Sequence, residues 1–213
     1  MWNLLSCTGV KSIYKPTSLT QGGVMTNATF SDAAKAYDSD NATSAIFSRT
    51  SSGTAGVADE STAVCAGFAS LAKANINYLE LAIIYRMWAQ TGPYSGVYNK
   101  YSSSGGICEY STDAGSTWTI LATTTTIRYL GSNLIGFDPY TAAVNTFTTS
   151  PATYGYGTDT GVVTLFPSIS PVLLSVGLQS LQVRFRINTI KDSVAGFEST
   201  VYCYPYEITA YVS

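Results

Sequence analysis

This sequence of 213 residues contains no histidine. That removes Ser-His-Asp and Cys-His nucleophile pairs, imidazole metal sites and the usual general base near neutral pH. An enzyme built from it would have to work with carboxylates, tyrosine, lysine or cysteine, so the inventory points away from catalysis. Charge is scarce too: 11% of residues are charged, against roughly 25% in a typical soluble protein. The 11 lysines and arginines form no cluster, which argues against nucleic acid as a partner, since a phosphate backbone needs several convergent cations. Cys7, Cys65, Cys108 and Cys203 are widely spaced with no C-x-x-C, a pattern that does not suit zinc. One or two disulfides are compatible with it, and the spacing gives no connectivity; Cys65 and Cys203 fall in apolar strand-like runs and read as small buried thiols. No apolar run reaches the roughly 18 residues of a membrane-spanning helix. The first residues lack the charged region and apolar run of a signal peptide.

What fills the space is serine, threonine, glycine, asparagine and 16 tyrosines. An uncharged, hydroxyl-rich surface suits a protein that packs against copies of itself or works outside a cell. The length fits one large all-β domain with a core of its own. From Asn77 to Trp88 the chain alternates, with Leu79, Leu81, Ile83, Tyr85 and Met87 on one face, the mark of a half-buried antiparallel strand. Leu181–Ile187 repeats the pattern, with Gln182, Arg184 and Arg186 on its outer face. These two strands are expected at the centres of two sheets packed face to face.

Along the chain, residues 1–30 read as an N-terminal arm with an edge strand near Val10–Tyr14, and 31–213 as a single sandwich domain. Ser31 or Asp32 is expected to cap about two turns of helix through Tyr37. Strands are expected at Ser44–Ser48, Thr62–Leu71, Ile107–Thr112, Thr117–Thr124, Val162–Phe166, Val172–Leu174, Ser180–Ile190 and Ser199–Val212. Residues 131–161, rich in Gly, Thr, Tyr and Pro, read as a long loop insertion facing a partner. The expected core is Leu79, Leu81, Ile83, Tyr85, Trp118, Val183, Phe185, Ile187, Ile208 and Ala210.

Two local motifs carry resemblances. Ala36-Tyr37-Asp38-Ser39-Asp40-Asn41-Ala42-Thr43 resembles the A-x-D-x-D-x-x-T turn of galactose-binding-like (discoidin-type) jelly rolls, and Tyr206-Glu207-Ile208-Thr209-Ala210-Tyr211 is similar to their closing strand. The resemblance implies that the two pieces sit together around a structural Ca2+, with Asp38, Asp40, Thr43 and Glu207 around it, partly through backbone carbonyls. A hard cation takes several oxygens near 2.4 Å, so the donor type is right. The alternative is that Asp38 and Asp40 make Asx turns and Glu207 is a solvated strand end. The second motif, Ser111-Thr112-Asp113-Ala114-Gly115-Ser116-Thr117-Trp118, resembles an Asp-box, found in sialidase propellers and in many bacteriophage and secreted β-proteins. Its expected role is local: in the turn that opens at Ser111, Asp113 caps backbone N–H groups, Gly115 takes a positive φ, and Trp118 packs beneath the hairpin.

Tyr94, Tyr98, Tyr101, Tyr154 and Tyr156 fall in segments read as loops, where aromatics can stack on sugars or anchor a protein. Arg184 and Arg186 could grip carboxylates on a partner, or simply solvate a strand face. The expectation is therefore an all-β, jelly-roll-like antiparallel sandwich of about eight to ten strands. Its expected role is that of a non-enzymatic bacteriophage virion component (capsid decoration, tail-associated or host-attachment). Such a component would contact copies of itself, other virion proteins or cell-surface glycans. The alternative is a secreted, extracellular carbohydrate-binding module or lectin braced by calcium.

Overall fold

The computed structural model of the chain describes residues 11–23, 28–50, 58–91, 105–125, 127–130, 133–136, 146–150, 155–159, 162–190 and 199–213. In chain order the strands are β1 (Ser12–Tyr14), β2 (Ser18–Gly23), β3 (Ala28–Ser31), β4 (Ile46–Thr50), β5 (Ala58–Ala66) and β6 (Leu79–Thr91). They continue with β7 (Gly105–Ser111), β8 (Thr119–Thr125), β9 (Ile127–Leu130), β10 (Asn133–Gly136) and β11 (Thr146–Ser150). The last are β12 (Gly155–Asp159), β13 (Val163–Leu165), β14 (Ser168–Ile169), β15 (Gln182–Ile190) and β16 (Ser199–Val212). Among the described residues every strand pairing is antiparallel.

The strands form a jelly-roll-like sandwich. One sheet has nine strands in the order β11-β12-β6-β16-β4-β3, with β1 on β16 and β13 and β14 on β6. The other has five, β2-β5-β15-β7-β8, and β9 and β10 make a small separate pair. The sixteen described strands exceed the expected eight to ten, in part because one flank of β6 is lined by three short strands, β12, β14 and β13, in place of one long neighbour, and because β9 and β10 add a small separate pair. Of the stretch expected as an insertion, β12 joins that flank opposite Trp88–Gln90.

The two strands chosen from alternation sit where expected. β15 is the middle of the five-stranded sheet, and β6 is an inner strand of the larger one. Leu79, Leu81, Ile83, Tyr85 and Met87 are all buried, as are Val183, Phe185 and Ile187 opposite them. The rings of Tyr85 and Phe185 meet across the interface at 5.5 Å.

β16 changes parity midway. Val201 and Cys203 face the core, yet so do Ile208, Ala210 and Val212. A bulge between Pro205 and Glu207 inserts one residue against β6, which swaps the faces of everything after it. Pro205 has no N–H to lose, so it suits that break in the ladder.

Three expectations need correction. The capped helix at Ser31–Tyr37 is one 3-10 turn, Ala33–Ala36, with no side-chain cap from Asp32, whose φ is 55°. Ser31 is taken up by β3, paired with Ile46, so no helix can start there. The strand expected at Val172–Leu174 is instead a 3-10 turn, Pro171–Leu173, capped by an extended Leu174, because proline fixes φ in the helical range and offers no ladder donor. Trp118 is half-buried rather than in the core. Among the described residues no helix is long and apolar enough to cross a membrane.

Candidate functional site

The acidic turn and the last strand meet at Glu207. The bulge puts Glu207 and Thr209 on the face opposite Ile208, where Glu207 is nonetheless buried. The Ser39 N–H donates to Glu207 Oε2 at 3.1 Å, and the Thr209 hydroxyl donates to Oε1 at 2.6 Å. Within the turn, the Asp40 N–H donates to Asp38 Oδ1 and the Ala42 N–H to Asp40 Oδ1, both at 2.9 Å. These are two successive Asx turns. The Thr43 hydroxyl closes the loop on Asp38 Oδ2 at 3.1 Å. Lys15, from the crossing between β1 and β2, brings its ammonium to 2.6 Å from Glu207 Oε1 and donates to Ser39 Oγ. Sequence reading missed Lys15, because nothing local marks a lysine whose partners lie in two distant segments.

The hairpin at Ser111–Thr117 is a closed hydrogen-bond unit. The Thr117 N–H and hydroxyl donate to the two oxygens of Asp113 at 2.8 and 2.6 Å, and the Ser111 hydroxyl adds a third bond at 2.7 Å. The Gly115 N–H donates to Ser111 Oγ at 2.8 Å. Gly115 has φ +89°, and a Cβ there would meet Gln182 Oε1 at 2.9 Å. The Thr117 side chain above all, then its N–H and the Ser111 hydroxyl, hold the Asp113 carboxyl down to a pKa of about 2.

That depressed value sets a pH dependence. The charged carboxylate is favoured in the folded state, so its contribution is complete above the ordinary value of about 3.9 and fades as pH falls toward 2. Asp113→Asn is expected to melt a few degrees below the native chain at neutral pH, with the gap closing between pH 4 and pH 2. A gap unchanged across that acid range would mean the charge has no part in holding the turn.

On the outer face of the five-stranded sheet, Arg184 and Arg186 are occupied by the chain's own carboxylates. Glu109, on β7 opposite Arg184, is 2% exposed. Its Oε2 accepts from Arg184 Nε at 2.8 Å, with Nη2 at 2.7 Å, and its Oε1 accepts from Arg186 Nη2 at 2.9 Å. Arg186 also reaches Glu60 at 3.2 Å. The Arg184 guanidinium lies 4.0 Å from the Trp118 ring centre, a cation–π contact that explains the half-buried indole.

Two further features escaped sequence reading. Arg49 on β4 is fully buried between the sheets and donates to Ser61 Oγ at 2.8 Å and to Thr189 Oγ1 at 3.3 Å. Its signal was its shared parity with Phe47, which is also buried. Tyr202 and Tyr204, two apart on β16, stack with ring centres 6.1 Å apart and planes 9° from parallel. Tyr94, Tyr98, Tyr101 and Tyr154 lie outside the described residues, and Tyr156 is in β12 opposite Thr149. Cys65, Cys108 and Cys203 are free, buried thiols, and burial pushes all three well above the ordinary thiol value, which leaves them inert as nucleophiles; Cys7 lies outside the described residues.

Among the described residues no group of three or more Cys, Asp or Glu side chains is gathered as a metal site. No family model matches the chain, and no curated protein does. Among solved structures, a family 7 alginate lyase in complex with product is similar at a TM-score of 0.25 and 11% identity, over 80% of each chain. A likeness that slight says nothing about what this chain acts on.

Proposed function

We propose that this protein is a non-enzymatic structural component of a bacteriophage virion, working through contacts with copies of itself. The observation that carries the reading is the segment 162–176. Val162, Phe166, Val172, Leu173 and Val176 are each between 55% and 78% exposed, and no charged residue occurs between Asp159 and Arg184. β13 and β14, in the same segment, pair on one side with β6 and form part of the margin of the larger sheet. An apolar strip beside a sheet margin is a surface that tends to be covered. A second copy presenting the same segment meets it with no charged residue of the segment's own to bury, which favours a self-complementary contact, and the adjoining Lys73 is held by the Leu174 carbonyl. Three carboxylates are engaged by the chain itself: Glu109 by two arginines, Glu207 by Lys15 and Asp113 by its own hairpin.

The test is light scattering over a concentration series for the native chain and for Phe166→Asp combined with Val172→Asp. The native chain is expected to form a defined oligomer. The double variant should weaken association by at least about tenfold, since each charge must be desolvated on contact. A native chain that stays monomeric at every concentration would overturn the reading.

A glycan-binding role is the second reading, favoured by the stacked pair Tyr202 and Tyr204 on an outer sheet face. Flat, rigid aromatic faces suit sugar rings. A glycan array is the discriminating screen.

A further inference from the structure

We propose that Lys15 is the cation of the acidic turn, so that the chain's own ammonium does what the jelly-roll resemblance gives to calcium. The donor set decides this. A calcium ion needs six to eight oxygens with free lone pairs at 2.3–2.6 Å. Here both Asp38 oxygens accept from Asp40 N–H and Thr43 Oγ1, and Asp40 Oδ1 accepts from Ala42 N–H. Both Glu207 oxygens accept as well, one from Ser39 N–H and the other from Thr209 Oγ1 with the Lys15 ammonium 2.6 Å away. The donors point inward at the carboxylates, and the positive charge is already against the buried one. Each carboxylate oxygen carries two lone pairs, and Glu207 Oε1 already faces both the Thr209 hydroxyl and the Lys15 ammonium, so a divalent ion seated on both oxygens of Glu207 would have to expel Lys15. With the Lys15 ammonium against Glu207 the cation position is already filled, and the set does not fit calcium as it stands.

The position of Lys15 gives the pairing a purpose. β1 pairs with the end of β16 in the larger sheet, through Tyr14 opposite Ala210, and β2 pairs with β5 in the smaller one, through Ser18 opposite Ala66. Lys15 lies in the short crossing between them. Its ion pair pins a strap that passes from one sheet to the other, and Ser39, held at φ 74°, is drawn into the same knot. The Tyr37 hydroxyl donates to Thr17 O at 3.4 Å beside it. The turn, the strap and the last strand are thus closed by one buried carboxylate, Glu207, whose counter-charge is covalently part of the chain.

Thermal melting of the full chain tests this, with calcium chloride and a chelator as the probes. The native chain is expected to melt within about 1 °C in either, since a ligand shifts Tm only if it binds the native state. Lys15→Met should melt about 5 °C lower, because it strands a buried carboxylate. Lys15→Arg should recover most of the loss, and Glu207→Gln added to Lys15→Met should recover part of it by removing the stranded charge. Calcium raising the native Tm by several degrees would overturn the proposal, as would a Lys15→Met chain that melts like the native one. If Lys15→Met does not fold, the native calcium comparison and the arginine variant still decide.

Discussion

Phe185→Ala is expected to cost about 3–5 kcal/mol, the range for emptying a buried aromatic site, and to lower Tm by about 10 °C or more. Phe185 is at the middle of the central strand of the five-stranded sheet, flanked by Ala63 on β5 and Cys108 on β7. Its ring meets Tyr85 of the opposite sheet at 5.5 Å and a 52° tilt. Alanine would open a cavity where the sheets touch, with strands on both sides held by their ladders and unable to collapse into it. Denaturant unfolding of Phe185→Ala, Tyr85→Ala and the double variant measures the ring contact separately from the cavity. Coupling of about 0.5–1.5 kcal/mol is expected from the pair. A loss below about 1 kcal/mol for Phe185→Ala would mean that the sheets are not in register through these two strands.

Glu109→Ala is expected to cost about 2–4 kcal/mol, somewhat below the upper range for breaking a buried ion pair because both arginines keep partial access to solvent. Glu109 is the shared counter-ion of Arg184 and Arg186, taking bonds on both oxygens. Without it two guanidinium groups on neighbouring positions of β15 face each other, with Glu60 left to hold Arg186 alone. The loss should persist in high salt, since a carboxylate 3% exposed at its side chain is poorly screened. Glu109→Gln should fall between the two, keeping an acceptor and losing the charge. Melts of all three chains at low and high salt provide the check. A Glu109→Ala chain as stable as the native one would make the cluster a solvated decoration and return the two arginines to the pool of groups available to a partner.

The frame was legible because it depends on short-range alternation. β6 and β15 declare themselves by apolar residues at every second position, and β16 was bounded correctly at Ser199 and Val212. What alternation cannot show is a change of parity, and the bulge at Pro205–Glu207 is one. It turns Glu207 away from the core to meet the acidic turn, so the site depends on a single inserted residue. The helix expectation failed for a different reason. The run Asp32–Tyr37 has helix-forming alanines, yet Ser31 before it belongs to a sheet, and only one 3-10 turn fits between.

At the sites, local partners were legible and remote ones were not. The capping geometry of Asp113 follows from residues two and four positions away. Lys15 against Glu207, Glu109 against Arg184 and Arg186, and Arg49 against Ser61 and Thr189 all need strand register or a crossing between sheets to be known first. Each of these is a charged group placed by topology, and a chain with so few charges had little sequence pattern to reveal them.

Hydrogen exchange on the full native chain, followed by peptide at dilute and at concentrated protein, tests the assembly account most directly. Slower exchange at high concentration confined to residues 162–176 and the adjoining β6 margin is the expected result. Exchange in that segment that is identical at every concentration, from a chain that already assembles by light scattering, would put the contact elsewhere and contradict the account.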